Sequence, residues 1–278
     1  MPGSDLNERA HVPASPGHEQ SPILARAGFR HAFFTRLGGA SEGPFASLSF
    51  STAVGDDAAH VTENLRRAAA LLEVEPDQVL YLSQVHGREA RFYHPSDRAE
   101  RAELLTLEGD ALGGSQPHRA YGVRSADCVP ILLADEASGA VMAIHAGWRG
   151  VVAGVVEAGV TCLRRNVGGD GELLAAIGPH ISAAAFEVSG EVAAELDAVS
   201  PARGCILHPQ GTIPPAKPHV DLRFIVTEQL LALGLTEARI DQVGGCTLLE
   251  PQRYFSFRRD GKRSGRHLSA IVPRSSSK

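Results

Sequence analysis

Residues 120–150 decide the fold, and they read AYGVRSADCVPILLADEASGAVMAIHAGWRG. The stretch contains two short apolar runs, residues 129–134 and 140–144, with turn residues such as Ser138 and Gly139 between them. Short apolar runs bounded by turn residues favour paired strands over helices. The pattern therefore predicts a strand, a tight connection, a second strand, and then a glycine-flanked turn into a helix.

Three possible metal ligands lie near the ends of predicted strands. Cys128 opens the first strand and His145 closes the second, so pairing of these strands would bring the two side chains together. His86 follows directly after another strand-like run at residues 79–82. We expect His86, Cys128 and His145 to meet on one metal ion.

The predicted ligand set favours zinc. Three protein ligands leave a fourth position for water or substrate, which is the pattern of a catalytic rather than a structural zinc site. A blue-copper centre also uses two His and one Cys, together with a weak axial Met. Met142 lies three positions before His145, so in a regular strand it would point to the opposite face. Copper is therefore the less favoured alternative.

Three arginines are candidate phosphate ligands. Arg149 lies where the sequence GWRG begins a predicted helix, and a helix start offers backbone N–H groups to an anion. Arg36 stands at a strand end beside two glycines, and Arg266 lies on a turn near other basic residues. The alternative for Arg149 is a salt bridge that braces the turn, and for Arg36 a solvated surface position.

Two aspartates are candidate site acids. Asp127 adjoins Cys128 and would face away from it in a regular strand, but Pro130 favours an edge or a bulge that would let both side chains reach the site. There Asp127 would act as an acid or base, or would hold a ligating histidine. Asp110, at a loop edge, is either a site acid or a capping residue.

Composition restricts the class of protein. Of the 278 residues, 43% are hydrophobic and 21% charged, as in ordinary globular proteins. The net charge of −5 argues against nucleic acid as the main partner. No apolar run approaches the roughly 20 residues of a membrane span. The four scattered cysteines indicate neither a disulfide framework nor a zinc knuckle, so we expect a protein of the reducing cytoplasm.

Predicted strands and helices interleave along the chain, which indicates an α+β (mixed α/β) sandwich of mixed sheets covered by helices. Residues 1–22 are rich in Pro, Ser, Gly and charge, and predict a disordered tail. We expect a single domain over residues 23–273 and a short tail at residues 274–278. Further predicted strands cover residues 29–35, 173–177, 242–249 and 254–257 and a stretch ending at 272, and predicted helices cover residues 58–72, 151–166, 187–199 and 221–234.

Several motifs resemble those of a known family. QVHG (84–87), SADCVPILLAD (125–135), AIHAGWRG (143–150) and FSFRRDGKRSGR (255–266) are similar to motifs of the laccase-domain family. That family is also called the multicopper polyphenol oxidase or purine nucleoside phosphorylase family, and it includes the peptidoglycan editing factor. The resemblance runs in order from about Phe29 to Ile271.

The resemblance implies an αββα-type sandwich with zinc bound by His86, Cys128 and His145. It further implies phosphorolysis of adenosine, inosine and methylthioadenosine, with adenosine deamination as a second activity, and polyphenol oxidation is also attributed to the family. Two departures concern the substrate range. Ser49 stands where the family commonly has Asn, and His180 lies in a segment that usually bears a Cys.

Four hypotheses follow. The first is a zinc-dependent purine nucleoside phosphorylase and deaminase, with purine nucleoside and phosphate as its small-molecule partners. The second is a metal-free cysteine hydrolase of amides in peptidoglycan precursors, with Cys128 as nucleophile and His145 as base. The third is a copper-dependent polyphenol oxidase. The fourth is a binding module supported by a structural zinc.

Overall fold

The computed structural model describes residues 15–98, 100–169, 172–208 and 217–275. Within these ranges, none of the helices combines the length and apolar character needed to cross a bilayer. The strands are β1 (His18–Glu19), β2 (His31–Phe34), β3 (Val79–Leu80), β4 (Ala90–Tyr93), β5 (Ala111–Gly114), β6 (Ala120–Ser125), β7 (Val129–Asp135), β8 (Val141–Ala146), β9 (Leu173–Ile177), β10 (Ile206–Leu207), β11 (His219–Val220), β12 (Ile240–Gln242) and β13 (His267–Ile271).

Helices and single 3-10 turns connect these strands. The 3-10 turns cover Gly43–Phe45, Thr52–Val54, Pro76–Gln78, Glu237–Arg239 and Gly261–Arg263. The α-helices are α1 (Pro22–Arg26), α2 (Ala58–Leu72), α3 (Arg101–Leu104), α4 (Trp148–Ala153), α5 (Val155–Val167), α6 (Gly190–Ala198), α7 (Leu222–Ala232) and α8 (Phe257–Asp260).

Apart from β10 and β11, which form a separate antiparallel pair, the strands named above form two large mixed sheets. The five-stranded sheet has the order β1-β2-β13-β6-β3, and the six-stranded sheet has the order β12-β9-β7-β8-β5-β4. The predicted pairing of β7 with β8 is confirmed, because the two strands are antiparallel with Val129 opposite Ala146 and Pro130 opposite His145. Parallel pairs, such as β3 with β6 and β4 with β5, make both sheets mixed.

Alternating side chains divide the core into layers. In β7, Ile131 and Leu133 pack on the helix side of the six-stranded sheet, with side chains of α5, α6 and α7. Leu132 lies on the other face, in the core between the two sheets. A third cluster packs α2 onto the outer face of the five-stranded sheet, where Leu268 of β13 meets Leu65. The layers therefore run helix, sheet, sheet, helix, which confirms the predicted αββα fold class.

The predicted helix over residues 58–72 is confirmed. Asp57 caps it, because its Oδ1 accepts the backbone N–H groups of Ala59 and His60 at 2.7 and 3.3 Å. The buried face repeats every three to four residues and includes Val61 and Leu65. This helix thus follows from a cap and an apolar period that are both visible in the sequence.

The predicted tails are too long at both ends. Residues His18 and Glu19 pair with Phe34 and Phe33, so ordered structure begins before residue 23. Composition does not predict this strand, because polar contacts hold it. The Glu19 carboxylate accepts hydrogen bonds from Arg253 and Tyr254, which are distant in the chain. At the other end, the Arg274 backbone N–H donates to the Gly139 carbonyl at 3.1 Å. Residues 1–14 and 276–278 lie outside the described residues, and the single domain stays a prediction.

Two further predictions need correction. The helix predicted over residues 151–166 is interrupted at Gly154, whose φ of 88° ends α4 and starts α5. The strand predicted at residues 242–249 is wrong beyond its first residue, because β12 ends at Gln242. The strand predicted at residues 254–257 is wrong throughout, because none of these residues is in a strand and α8 begins at Phe257. Side chains satisfy the backbone here: Ser256 accepts the Arg259 N–H at 3.2 Å and so caps a helix turn.

Protonation of His267 should destabilise the fold at low pH. Its Nε2 accepts the Phe255 N–H at 2.8 Å, and burial lowers the pKa of His267 from 6.5 to about 4. A folded-state pKa below the unfolded one gives stability that is complete above pH 6.5 and falls as the pH drops towards 4. Between pH 7 and 4.5, wild type should lose about 2 kcal/mol more unfolding free energy than His267→Gln, whose amide oxygen can accept the same N–H. Urea unfolding measures this, and equal losses would contradict the assignment.

Candidate metal centre

Three different connections bring the predicted ligands together. His86 lies in the loop after β3, Cys128 immediately precedes β7, and His145 belongs to β8. Their ligand atoms all lie within 4.8 Å of one another. The His86 and His145 rings are 4.9 Å apart in an edge-to-face arrangement, and Cys128 Sγ is 3.8 Å from His86 Nε2. His145 is buried, Cys128 is partly buried and His86 is exposed, so the group opens to solvent on one side.

Asp110 holds two of the three ligands in place. Its carboxylate accepts the His145 Nδ1–H at 2.8 Å and the backbone N–H groups of Val85, His86 and Gly87 at 3.2, 3.0 and 2.7 Å. Burial alone would raise the pKa of Asp110, but these hydrogen bonds, with His145 foremost, lower it. The bond to Nδ1 leaves Nε2 of His145 available as a metal ligand. Asp110 is therefore the carboxylate partner of His145, a role for which the sequence suggested Asp127.

Cys128 and His145 change each other's charge state. Burial would raise the pKa of the Cys128 thiol, but the neighbouring His145 and His86 rings outweigh burial and lower the pKa to about 6. Burial would lower the pKa of His145, but the Cys128 thiolate and Asp110 outweigh it and raise the pKa to about 9. The sulfur is thus held as a thiolate, which is the form that binds metal.

The donor set and its packing fit a metal ion. One sulfur and two imidazole nitrogens suit zinc, and they also suit copper. Gly147 leaves room for these donors, because a Cβ at this position would lie 2.7 Å from His86 Cδ2 and 3.0 Å from Cys128 Sγ. The group His86, Cys128 and His145 can therefore hold one metal ion.

Asp127 reaches the site because the backbone leaves the strand conformation there. Its φ of 89° is left-handed, as is the φ of 59° at His86, and this region is unfavourable for residues other than glycine. The Asp127 carboxylate accepts the Thr247 hydroxyl and the Arg258 N–H, each at 2.6 Å, and these bonds hold the residue in place. Asp127 and Cys128 line the same cavity, as the sequence predicts.

Two cavities open onto the candidate metal ligands. The larger, which we call the aromatic cavity, has a volume of about 470 Å³. The smaller, which we call the arginine cavity, has a volume of about 360 Å³. Both are lined by His86, Cys128 and Phe257. The aromatic cavity adds Trp148, Arg149, Phe186 and Arg258 to its lining, and the arginine cavity adds Ser51, Gln84, Arg124, His145 and Arg266.

The three predicted phosphate ligands take different positions. Arg149 lines the aromatic cavity and stacks on Trp148, with its Cζ 4.3 Å from the ring centroid. Arg266 lines the arginine cavity. Arg36 lines neither, because its guanidinium donates to the carbonyls of Ala46 and Pro251 at 2.8 and 2.9 Å. The structure therefore brings Arg149 and Arg266 to the candidate site and leaves Arg36 in a loop contact.

Sequence reasoning missed Arg124, Arg258 and Gln84 at this site. Arg124 lies within β6, whose other residues are all buried, and a charge inside such an apolar strand is a usable signal. Gln84 is the first residue of QVHG, and Asp110 binds the three residues that follow it, but its contact with Arg124 joins residues that are distant in sequence. Only the folded chain shows that contact.

Fold and site together define a mixed α/β protein with a candidate His–Cys–His metal centre between two cavities. A family model described as multi-copper polyphenol oxidoreductase laccase matches residues 30–274. The chain belongs to this laccase-domain family.

Proteins similar to this chain carry a consistent name. It is 37% identical over 243 residues to purine nucleoside phosphorylase ORF3 of Streptomyces griseus, covering 87% of this chain and 93% of that protein. It is 34% identical over 240 residues to purine nucleoside phosphorylase YfiH of Escherichia coli, covering 85% and 90%. The crystal structure of YlmD from Geobacillus stearothermophilus matches with a TM-score of 0.82 and 31% identity, covering 92% and 94%.

Replacing Asp110 should weaken metal binding. Asp110→Asn keeps the size of the side chain but removes the charge that orients His145 and the loop carrying His86, so metal affinity should fall by about 10–100-fold. Competition with a chromophoric chelator measures this. Asp135→Asn is a matched control, since Asp135 is also buried but lies at the opposite end of β7 from Cys128. Equal metal affinity in the two variants would contradict the role of Asp110.

A methyl group at position 147 should disturb the ligand group by contact alone. The backbone of Gly147, with φ −74° and ψ 159°, is open to alanine. The added Cβ of Gly147→Ala would overlap His86 and Cys128, at a cost of about 1–3 kcal/mol in metal binding. Gly190→Ala, where a Cβ meets nothing within 4 Å, is the control and should bind metal as wild type does. Calorimetric titration with Zn²⁺ compares them, and unchanged binding by Gly147→Ala would refute the contact argument.

Proposed function

We propose that this protein is a zinc-dependent purine nucleoside phosphorylase that acts on adenosine, inosine and methylthioadenosine. The observation that carries the proposal is the position of His86, Cys128 and His145 where two cavities meet. Two reactants, a nucleoside and phosphate, need two adjoining spaces. The names of the relatives in Streptomyces griseus and Escherichia coli support the same class of enzyme.

The aromatic cavity has the size and the surface for a purine nucleoside. Its volume of about 470 Å³ falls within the usual range for small-molecule sites. Trp148, Phe186 and Phe257 supply aromatic faces on which a purine ring can stack. Arg149 and Arg258 add polar donors at the rim. This combination of flat apolar surface and a few polar groups is typical of sites that bind a nucleobase.

The proposed reaction exchanges one bond at the ribose. An oxygen of hydrogen phosphate forms a bond to C1′ while the bond from C1′ to the purine nitrogen breaks, and the electron pair of that bond leaves with the purine. The proton of hydrogen phosphate ends on the departing base, so the products are ribose 1-phosphate and the free purine. The chain must therefore bind a dianion, hold it against C1′ and exclude competing water.

The residues of the centre have distinct tasks in this proposal. When bound by His86, Cys128 and His145, zinc would supply a local positive charge as a Lewis acid. Asp110 keeps His145 in one orientation and tautomer through the bond to Nδ1. Phe257 lines both cavities and would contact both reactants. Guanidinium groups beside these ligands would bind the oxyanion and hold it still.

Adenosine deamination is proposed as a second activity, and one observation favours a residue for it. Asp127 lines the aromatic cavity beside Cys128. Each of its carboxylate oxygens accepts a single hydrogen bond, from Thr247 or from the Arg258 N–H, so each keeps a further acceptor position. In that hydrolysis the oxygen of a water forms a bond to C6 of the purine while the bond from C6 to the amino nitrogen breaks, and the amino group leaves as ammonia. We assign to Asp127 the transfer of a proton from that water to the departing amino group.

A cysteine hydrolase is the second candidate function. Cys128 adjoins His145, and His145 Nδ1 donates to Asp110 at 2.8 Å, which is the order of groups in a nucleophile, base and acid triad. In that case an amide of a peptidoglycan precursor would be attacked by the Cys128 sulfur without metal. Copper in place of zinc is the alternative for the metal-bound form. Met142, the candidate axial ligand, does not favour it, because Met142 packs on the helix side of the six-stranded sheet and alternation along β8 places His145 on the opposite face.

Purified protein should release hypoxanthine from inosine only when phosphate is present. Native protein should contain about one zinc per chain, and Cys128→Ala should contain little, because it lacks the sulfur ligand. Chromatography of the products together with elemental analysis tests both statements. No phosphate-dependent hypoxanthine release by zinc-loaded protein would count against the proposal.

Metal removal separates the candidate functions. Chelation should abolish phosphorolysis, and added Zn²⁺ should restore it. A cysteine hydrolase would instead keep full amidase activity after chelation and would form a covalent adduct at Cys128. Oxidation of laccase substrates only after copper loading would favour the polyphenol oxidase.

A further inference from the structure

The arginine cavity concentrates positive charge next to the metal ligands. Arg124 and Arg266 both line it, and both are partly buried. The Arg124 guanidinium lies over the Tyr81 ring, with its Cζ 4.4 Å from the centroid, and the Arg266 guanidinium lies over Phe257 at 5.6 Å. Two aromatic rings therefore limit the movement of both cations while their edges stay open to the cavity.

Among the described residues, no carboxylate forms an ion pair within 4.0 Å of Arg124 or Arg266. Burial lowers the pKa of Arg266, the charge of Cys128 raises it, the nearby charge of Arg124 lowers it, and the charge of Asp127 raises it. Two like charges held together in a partly buried space are unfavourable unless an anion joins them.

Most donors of the two guanidiniums remain uncommitted. Arg266 Nη1 donates to the carbonyls of Ser264 and Gly265 at 2.8 and 3.0 Å, and Arg124 Nη1 reaches the Phe50 carbonyl at 3.5 Å. In the described part of the chain, Nε and Nη2 of both residues have no hydrogen bond. Paired guanidinium edges with free N–H groups match the oxygens of a phosphate.

The supports of the two arginines are rigid. The Gln84 amide donates to the Arg124 carbonyl at 2.7 Å and accepts the Arg124 N–H at 2.8 Å, which ties the loop before His86 to β6. The Arg266 carbonyl accepts the Phe50 N–H at 2.9 Å, and the Arg266 N–H lies 3.4 Å from the Ser49 hydroxyl. These contacts fix the backbone from which both guanidiniums extend before any ligand arrives, which favours tight binding.

The aromatic cavity has a different charge pattern. Lys217 at its edge lies 3.5 Å from the Glu187 carboxylate, so that cation already has a partner. Arg149 is exposed and stacks on Trp148. Arg258 Nη1 donates to the Glu187 carbonyl at 2.8 Å. The arginine cavity thus offers the stronger site for a small dianion, and the aromatic cavity offers the better surface for a base.

We propose that the arginine cavity is the binding site for inorganic phosphate, with Arg124 and Arg266 as its ligands, and that the purine occupies the aromatic cavity. The assignment rests on the proposed function, and it gives each of the two cavities one reactant. Phosphate then approaches the nucleoside from the His145 side of the candidate metal centre, past Phe257. With phosphate in the arginine cavity, Arg124 is a substrate-binding residue and Arg149 does not bind phosphate.

Separate measurements on the zinc-loaded full chain follow the two ligands. Trp148 is the only tryptophan and lines the aromatic cavity, so its fluorescence reports inosine binding there. Calorimetry with inorganic phosphate reports the other cavity. Arg124→Gln and Arg266→Gln should each weaken phosphate binding by about tenfold or more, since each removes charged hydrogen bonds. Inosine quenching of Trp148 should change less than about twofold, and Arg149→Gln should bind phosphate as wild type does.

Lysine variants guard against misfolding. Arg124→Lys and Arg266→Lys keep the charge but lose the planar fork, so they should bind phosphate with an affinity between wild type and the Gln variants. Zinc content and inosine quenching equal to wild type show that each variant is folded. Loss of phosphate binding in Arg149→Gln but not in Arg124→Gln would overturn the assignment, as would no phosphate binding by wild type. Tight binding of inosine 5′-monophosphate that needs Arg124, without binding of free phosphate, would also overturn it.

Failure of the phosphate-site assignment can be distinguished from failure of the proposed function. Calorimetry reports phosphate in the absence of turnover. Wild type that binds phosphate through Arg124 and Arg266 but releases no hypoxanthine would refute the phosphorylase and leave the anion site standing. Wild type that releases hypoxanthine while its phosphate affinity depends on Arg149 alone would support the phosphorylase and refute the anion site.

Discussion

The carboxylate of Asp110 is the contact on which the candidate centre depends. It joins a strand, through His145, to a loop, through three consecutive N–H groups from Val85 to Gly87. The Asp110 carbonyl also accepts the His145 N–H at 2.7 Å, so backbone and side chain of one residue both fix the same histidine. A buried carboxylate is costly unless its hydrogen bonds are satisfied, and here four donors satisfy it. Two of the three candidate donor residues are therefore positioned by one residue that lies outside the donor group.

Much of the architecture can be predicted from local patterns. The cap at Asp57, the apolar period of α2 and the turn between β7 and β8 are all visible over short windows, and the structure confirms them. Errors arose where side chains replace backbone partners, as at Ser256, or where a polar strand is anchored from far away, as at Glu19. Such contacts join residues distant in sequence, so no local window contains them.

In the candidate site, too, local patterns predict some residues, and contacts between distant residues determine the others. His86, Cys128 and His145 could be proposed because ligand-type residues stand next to predicted strand ends. The sequence offered Asp127 as the partner of a ligating histidine, but in the structure the partner of His145 is Asp110. The left-handed backbone that positions Asp127 is a tertiary effect, which strand alternation does not predict. Arg124 belongs to the site through a sheet that pairs β6 with β13 and β3. Its meeting with Arg266 follows from that pairing, in which Leu268 lies opposite Arg124.

The place of β13 in its sheet has a consequence for synthesis in the cell. This strand lies between β2 and β6, although it is the last of the described strands to leave the ribosome. The five-stranded sheet cannot close, and the core between the sheets cannot seal, until about 270 residues have been translated. Until then the apolar faces of β2 and β6 lack their neighbour, and exposed strand edges invite aggregation. Nascent chains of this protein are therefore natural clients for chaperones that shield unpaired edges during translation.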